Sequence, residues 1–366
     1  MAKSRLRQLS KLGQSVWFDS LSREMLETGE LARLIREDAV VGVTSNPTIF
    51  DRALSEGSWY DPQLRELLDR EDDPKEIFIA LAVEDIREAC DLLAPAWESS
   101  GHVDGRVSIE VDPNLAYDRD ATYDEAIRLH DLVDRRNAYV KIPATEPGLG
   151  AIEDCIAVGR SINVTLTFSL ERYAGVAEAF IRGLERLLAA GGPLDTVSSV
   201  ASFFVSRVDT EADRRLAALG REDLAGKLAI ANAKLAYEHY RATFSGDRWE
   251  NLAAKGARAQ RCLWASTSTK NPAYRDVLYV EELIGPDTVN TMPSETIDAF
   301  QDHGVVRETL TEGIDEAHAL LGELEAAGVD YDDVVETLER EGVEKFSDSF
   351  AHLLAGIEAK RSALAA

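Results

Sequence analysis

Lys141 ends the apolar run Asn137-Ala138-Tyr139-Val140-Lys141 and is followed by Ile142-Pro143-Ala144-Thr145, so a long amine stands where a buried strand should finish. In a mostly apolar cavity, desolvation and any nearby positive charge favour the neutral amine, which attacks a ketone. The imine formed is an electron sink for breaking a carbon–carbon bond. A lone lysine at a strand end more often snorkels at the surface, so the chemistry rests on its neighbours. Asp19 and Glu110, each at or near the end of an apolar run, are the proton carriers such chemistry needs. Each also has a plain reading. Asp19 suits the cap of a helix starting near Ser22, and Glu110 in Ser108-Ile109-Glu110-Val111-Asp112 needs a partner wherever it is buried. Asn163 and Thr165 lie two apart and share one strand face, either as site residues or as a polar layer. Arg207 offers a planar fork for a phosphate, helped by the hydroxyls of Ser202 or Ser266.

These residues fall at the ends of a repeating unit. Short β-branched or aromatic runs near 15–19, 39–43, 106–111, 138–142, 161–166, 196–205, 260–265 and 288–292 read as strands. Amphipathic stretches such as 22–37, 75–98, 123–136, 170–190 and 272–281 read as helices between them. Eight alternating units imply parallel strands and right-handed crossovers, and predict an α/β fold, a (β/α)8 TIM barrel. An open doubly wound sheet would want a glycine-rich first turn, which Asp19-Ser20-Leu21-Ser22 is not. In a barrel, active sites sit at the C-terminal ends of the strands. The ring of residues there is Asp19, Thr44-Ser45-Asn46, Glu110, Lys141, Asn163 with Thr165, Ser202 with Arg207, Ser266 and Met292.

Extra, mainly helical stretches follow the second strand (47–73), the sixth (207–256) and the eighth (304–366). In the last, helices are expected over 307–327, 330–341 and 346–365, with Gly328 and Gly342 as stops. No Pro/Ser/Gly-rich linker sets these stretches apart, so 1–366 is expected to be one barrel domain, with 304–366 a helical extension packed on it.

The 366 residues carry 66 acidic and 40 basic side chains, a net charge of −26 that repels nucleic acid and anionic membranes. An anionic metabolite therefore needs a local cluster of cations. Cys90, Cys155 and Cys262 read as buried thiols, not a disulfide framework or a zinc site. Asp209, Glu211 and Asp213 lack the glycine and distal glutamate of a calcium loop and suit a solvated helix start, so no metal is expected. Gly148-Leu149-Gly150 reads as a helix opening, and Lys227, Lys234 and Lys255 as helix-surface charges. The basic, polar N-terminal segment has no apolar core of a signal peptide, and the expected location is the cytoplasm.

The run Val41-Gly42-Val43-Thr44-Ser45-Asn46-Pro47-Thr48-Ile49-Phe50 resembles the signature near the start of transaldolases, and Asn137 to Thr145 resembles the segment carrying that family's Schiff-base lysine. Segments 108–117 and 162–169 resemble its neighbours. The likeness extends roughly from Val16 to Met292, and the C-terminal helices resemble the longer bacterial type. The resemblance implies an enzyme of the non-oxidative pentose phosphate pathway, without metal or organic cofactor, that moves a dihydroxyacetone unit between sugar phosphates. It assigns the imine to Lys141, the proton of the donor C4 hydroxyl to Asp19, and water-mediated proton transfer to Glu110, with Thr165 holding that water. Asn46 and Asn163 would bind donor hydroxyls. Ser202, Arg207 and Ser266 would contact the donor or its phosphate, with Phe204 beside the site. Partners are then sugar phosphates only, in a monomer or homodimer.

Shorter members read Ala-Ser-Phe-Arg or Ala-Ser-Phe-Lys where this chain has Ala265-Ser266-Thr267-Ser268-Thr269-Lys270. Either Lys270 supplies the second phosphate cation through a two-residue bulge, or Ser268 takes that place and Arg207 is the main anchor. Related aldolases, which release free dihydroxyacetone, carry glutamine where Glu110 stands. A non-catalytic sugar-phosphate or partner-binding barrel is the remaining reading, and it would be expected to have lost its nucleophile.

Overall fold

The computed structural model describes residues 4–55, 57–68 and 70–364. Met1 to Lys3, Glu56, Asp69 and the last two alanines, on which parts of the expected N-terminal, 47–73 and 346–365 segments fall, lie outside the described residues. The strands are β1 (Gln14–Phe18), β2 (Val40–Val43), β3 (Arg106–Glu110), β4 (Ala138–Pro143), β5 (Ile162–Thr167), β6 (Ser199–Phe204), β7 (Arg261–Ala265) and β8 (Thr288–Met292). All pair in parallel and in sequence order, and β1 pairs with β8, closing the barrel. Nearly every strand residue is buried, as expected where helices cover the outside and side chains fill the inside. The register aligns the chemistry: Glu110 pairs with Lys141, Lys141 with Asn163, and Pro143 with Thr165.

Helices depart from the sequence expectation where glycine or loop chemistry intervenes. The expected helix 22–37 is two, Arg23–Glu27 and Glu30–Glu37, because Gly29 turns left-handed (φ 77°) between them. The expected helix 272–281 is only Leu278–Glu282, and the one over 307–327 begins at Ile314. Gly148 and Gly150 lie in the first turns of Glu146–Ala157, which Thr145 caps by accepting from the Gly148 N–H at 3.1 Å. Gly328 ends its helix as expected, in a left-handed conformation.

Gly342 does not end a helix. A single 34-residue helix runs from Tyr331 to Leu364. A Cβ on Gly342 would lie 3.2 Å from Leu166 Cδ2 and 3.5 Å from Phe168 Cε2, so this glycine lets the C-terminal helix approach the end of β5 closely. Further along, the Phe350 ring packs on Phe78 at 5.6 Å, and Phe78 on Phe50 at 5.4 Å, both edge-to-face. At its start, Tyr331 Oη accepts from the Leu170 N–H (3.1 Å) and donates to Asn232 Oδ1 (2.7 Å).

Two surface readings are corrected. Asp209 and Glu211 are buried, not solvated: Asp209 accepts from Tyr279 Oη at 2.8 Å and from the Ala229 N–H at 2.7 Å, and Glu211 pairs with Arg214 and Arg215. Lys234 is buried too, with its ammonium on the Glu312 carbonyl at 3.0 Å. The three cysteines are buried and free. Among the described residues no group of three metal-ligating side chains is found, and no helix is long and apolar enough to cross a membrane.

Candidate active site

At the C-terminal ends of the strands lies a cavity of about 440 Å³. Asp19, Asn46, Lys141, Thr165, Ser202, Phe204, Arg207, Ser266, Ser268 and Lys270, all raised by the sequence, line it. Glu110 and Asn163 do not line it and stand one hydrogen bond behind. A second cavity of about 320 Å³, lined by Arg106, His130 and Arg160 among others, contains none of the predicted site residues.

Asp19 is the first residue beyond β1, its N–H held by the Met292 carbonyl at 2.9 Å. Ser22 caps the following helix by accepting from the Met25 N–H, which leaves the Asp19 carboxylate to the cavity. Thr44 Oγ donates to Asp19 Oδ1 at 2.6 Å, so its contact with Thr291 Oγ at 2.7 Å must be an acceptance, because a hydroxyl has one proton to give. Burial raises the Asp19 carboxyl above its ordinary range, against the Thr44 bond and the charges of Lys141, Arg207 and Lys270.

Lys141 is 5% exposed. Its Nζ donates to the Ser45 carbonyl at 3.1 Å and to Glu110 Oε2 at 3.3 Å. Ser45 is itself fixed by its hydroxyl on the Ser108 carbonyl (3.0 Å). The charge bonded to the amine is thus a carboxylate, not the positive neighbour that the sequence reading allowed for. Burial raises the Glu110 carboxyl, Lys141 opposes this, and Asp19 adds to it. Asn163 bridges the strands, donating to Ser108 Oγ (3.0 Å) and accepting from Ser202 Oγ (2.7 Å).

Two buried oxygens here, Glu110 Oε1 and Thr165 Oγ, have no hydrogen-bond partner among the described residues. Such groups call for a partner that the protein does not supply. Thr165 precedes Leu166, whose left-handed φ of 57° falls where the pairing of β5 with β6 shifts register. Bulges of this kind re-aim side chains beside active sites. Ser266, just past β7, is also left-handed (φ 57°) and meets Ser206 Oγ at 2.9 Å.

Arg207 enters from the first turn of the helix Ser206–Ala218. Its guanidinium carbon lies 5.2 Å from the Phe204 ring centroid and 6.0 Å from that of Phe346, within cation–π reach. It forms no ion pair with a carboxylate among the described residues, and burial pushes its guanidinium below the usual range. Lys270 and Ser268 both reach the cavity, with Lys270 Nζ on Ser268 Oγ at 2.6 Å. The sequence reading missed Lys345 and Phe346, which the C-terminal helix brings to the same cavity. Their signal was Gly342, a glycine inside a helical pattern that marks close packing as readily as a stop.

This is a closed (β/α)8 barrel with a buried lysine at its mouth, the Asp19 carboxylate beside it and Glu110 bonded behind it. The family model for transaldolase/fructose-6-phosphate aldolase matches residues 16–357. Proteins named transaldolase are similar over nearly their whole length. That of Parafrankia sp. is 56% identical over 353 residues, covering 95% of this chain and 96% of the relative. The Acidothermus cellulolyticus protein is 54% identical over 355 residues (96% and 95%), and the Mycobacterium ulcerans protein 51% over 368 residues (99% of each). The chain belongs to the transaldolase/fructose-6-phosphate aldolase family, and it is a transferase.

Proposed function

We propose that the enzyme transfers a dihydroxyacetone unit from sedoheptulose 7-phosphate or fructose 6-phosphate to an aldose phosphate, glyceraldehyde 3-phosphate or erythrose 4-phosphate, through a Schiff base on Lys141. The observation that carries the reading is the buried Lys141 Nζ, 3.3 Å from Glu110 and sharing the cavity wall with Asp19. The amine must shed a proton before it attacks the donor C2 carbonyl, and Glu110, its carboxyl raised by burial, is the acceptor bonded to it. Loss of water from the carbinolamine gives the imine. Glu110 serves that step, and the later hydrolysis, through a water shared with Thr165. The two unpartnered oxygens, Glu110 Oε1 and Thr165 Oγ, support this role.

Asp19 then takes the proton of the C4 hydroxyl as the C3–C4 bond breaks. The bonding electrons pass into the imine, and an aldose phosphate leaves. A carboxylate whose conjugate acid is weakened by burial is a better base for this step. The retained three-carbon carbanion attacks the acceptor aldehyde, Asp19 returns its proton, and hydrolysis frees Lys141. Asn46 holds a hydroxyl of the unit, and Asn163 acts from behind by fixing Ser202, while Ser202, Ser266, Arg207 and Lys270 hold the donor and its phosphate. We place the reaction in the non-oxidative pentose phosphate pathway and the enzyme in the cytoplasm.

The test is a product comparison. With fructose 6-phosphate and erythrose 4-phosphate, the protein should form glyceraldehyde 3-phosphate and sedoheptulose 7-phosphate. Without an acceptor it should release little free dihydroxyacetone. Rapid acceptor-free release would make it an aldolase and overturn the transfer reading.

A further inference from the structure

The C-terminal helix brings charge as well as packing to the barrel mouth. Lys345 and Phe346 line the cavity together with Arg207, Ser268 and Lys270. Phe346 is buried beside the Arg207 guanidinium, which fixes this turn of the helix against the site. The Lys345 ammonium makes no hydrogen bond or ion pair among the described residues. Glu341, Glu344 and Asp348 line a neighbouring cavity with it, yet none is paired with it. Arg207 has no carboxylate partner either, and Lys270 donates to a neutral hydroxyl.

Three cations thus face one space, none of them in an ion pair among the described residues although Asp19 and Glu295 also line it, in a chain of net charge −26. They repel one another: the charge of Arg207, then burial, then the charge of Lys270, holds the Lys345 ammonium below its ordinary range. An anion seated among them relieves that repulsion and gains charge-assisted hydrogen bonds from each. Lys345 sits three residues from Gly342, so the glycine that permits the close approach of the helix also sets the reach of the lysine.

We propose that Lys345 is the third cation of the phosphate end of the site, carried there by the C-terminal helix, and that it selects phosphorylated sugars over unphosphorylated ones. The sugar part of this inference rests on the transfer reading above, whereas the anion part does not. Inorganic phosphate is therefore titrated calorimetrically into the full-length protein and into Lys345→Ala and Lys345→Arg, with thermal melts to show that each is folded. The dissociation constant for phosphate should rise about five- to tenfold in the alanine variant and no more than about threefold in the arginine variant. The ratio of kcat/KM for fructose 6-phosphate to that for fructose should fall by the same factor in Lys345→Ala. An unchanged phosphate affinity, equal losses in the two variants, or no phosphate binding by the wild type would overturn the proposal. Lys345-dependent phosphate binding in a protein without transfer activity would uphold the anion site while the transfer reading failed.

Discussion

Removing the Arg207 side chain should separate binding of the phosphate from everything else the site does. Its guanidinium forms no ion pair with a protein carboxylate among the described residues and rests near two aromatic rings, at 5.2 and 6.0 Å. A hydrogen bond to a charged group is worth about 1.5–3 kcal/mol, and a guanidinium fork makes two to a phosphate. Against this, Arg207 is desolvated in the free protein, and Lys270 remains to share the charge. A net loss of about 3 kcal/mol, the low end for two such bonds, is roughly a 150-fold fall in kcat/KM for fructose 6-phosphate. Unphosphorylated fructose, with no group for the fork to hold, should lose less than about threefold. Arg207→Lys keeps the charge but not the fork and should recover about tenfold of the loss. Because no ion pair is broken, the melting temperature of Arg207→Ala should stay within about 3 °C of wild type, the aromatic contacts being worth roughly 0.5–2 kcal/mol. Steady-state kinetics on the two sugars, beside a thermal melt, reads all of this. An equal fall for both sugars would refute the assignment and make Arg207 a packing residue.

Burial raises the Asp209 carboxyl to about 7, so between about pH 4 and 7 the folded state binds a proton that the unfolded chain has lost. Stability should therefore fall as pH rises through that window, by up to about 4 kcal/mol from this group, or roughly 5 °C in a chain of this size. Asp209→Asn should flatten the dependence in melts at pH 5 and 8, with the fall from Asp85, itself raised to about 6, left behind. An unchanged slope would mean that Asp209 titrates normally. Phe350→Ala should remove about 3 kcal/mol of aromatic packing that docks the C-terminal helix, lowering the melting temperature by about 4 °C and raising the KM for fructose 6-phosphate with it, since Lys345 and Phe346 ride on the same helix. A melt unchanged within 1 °C would show that the docking lies elsewhere.

Strand periodicity carried the barrel, because parallel strands covered on both faces stand out as short apolar runs. Reading the residues at their ends as a ring found Asp19, Glu110, Lys141 and Arg207 together, since the pleat and the closed topology leave few ways to arrange strand ends. What escaped was set by contacts distant in sequence. Gly342 has the same local signature as a helix stop, and only the Leu166 and Phe168 side chains across the barrel mouth give it another purpose. Asp209 and Lys234 look like surface charges until Tyr279 and the Glu312 carbonyl arrive from later segments to satisfy them. The left-handed backbones of Leu166 and Ser266 left no trace in residue type, as neither is the glycine or asparagine that usually adopts such a conformation.

The imine on Lys141 can be trapped directly. The protein is incubated with fructose 6-phosphate, reduced with borohydride, digested, and searched by mass spectrometry for an added mass. A reduced three-carbon adduct should appear on the peptide bearing Lys141 and be absent in Lys141→Ala. A folded wild-type protein that gives no adduct, with sedoheptulose 7-phosphate also tried, or that carries the adduct on another lysine, would contradict it.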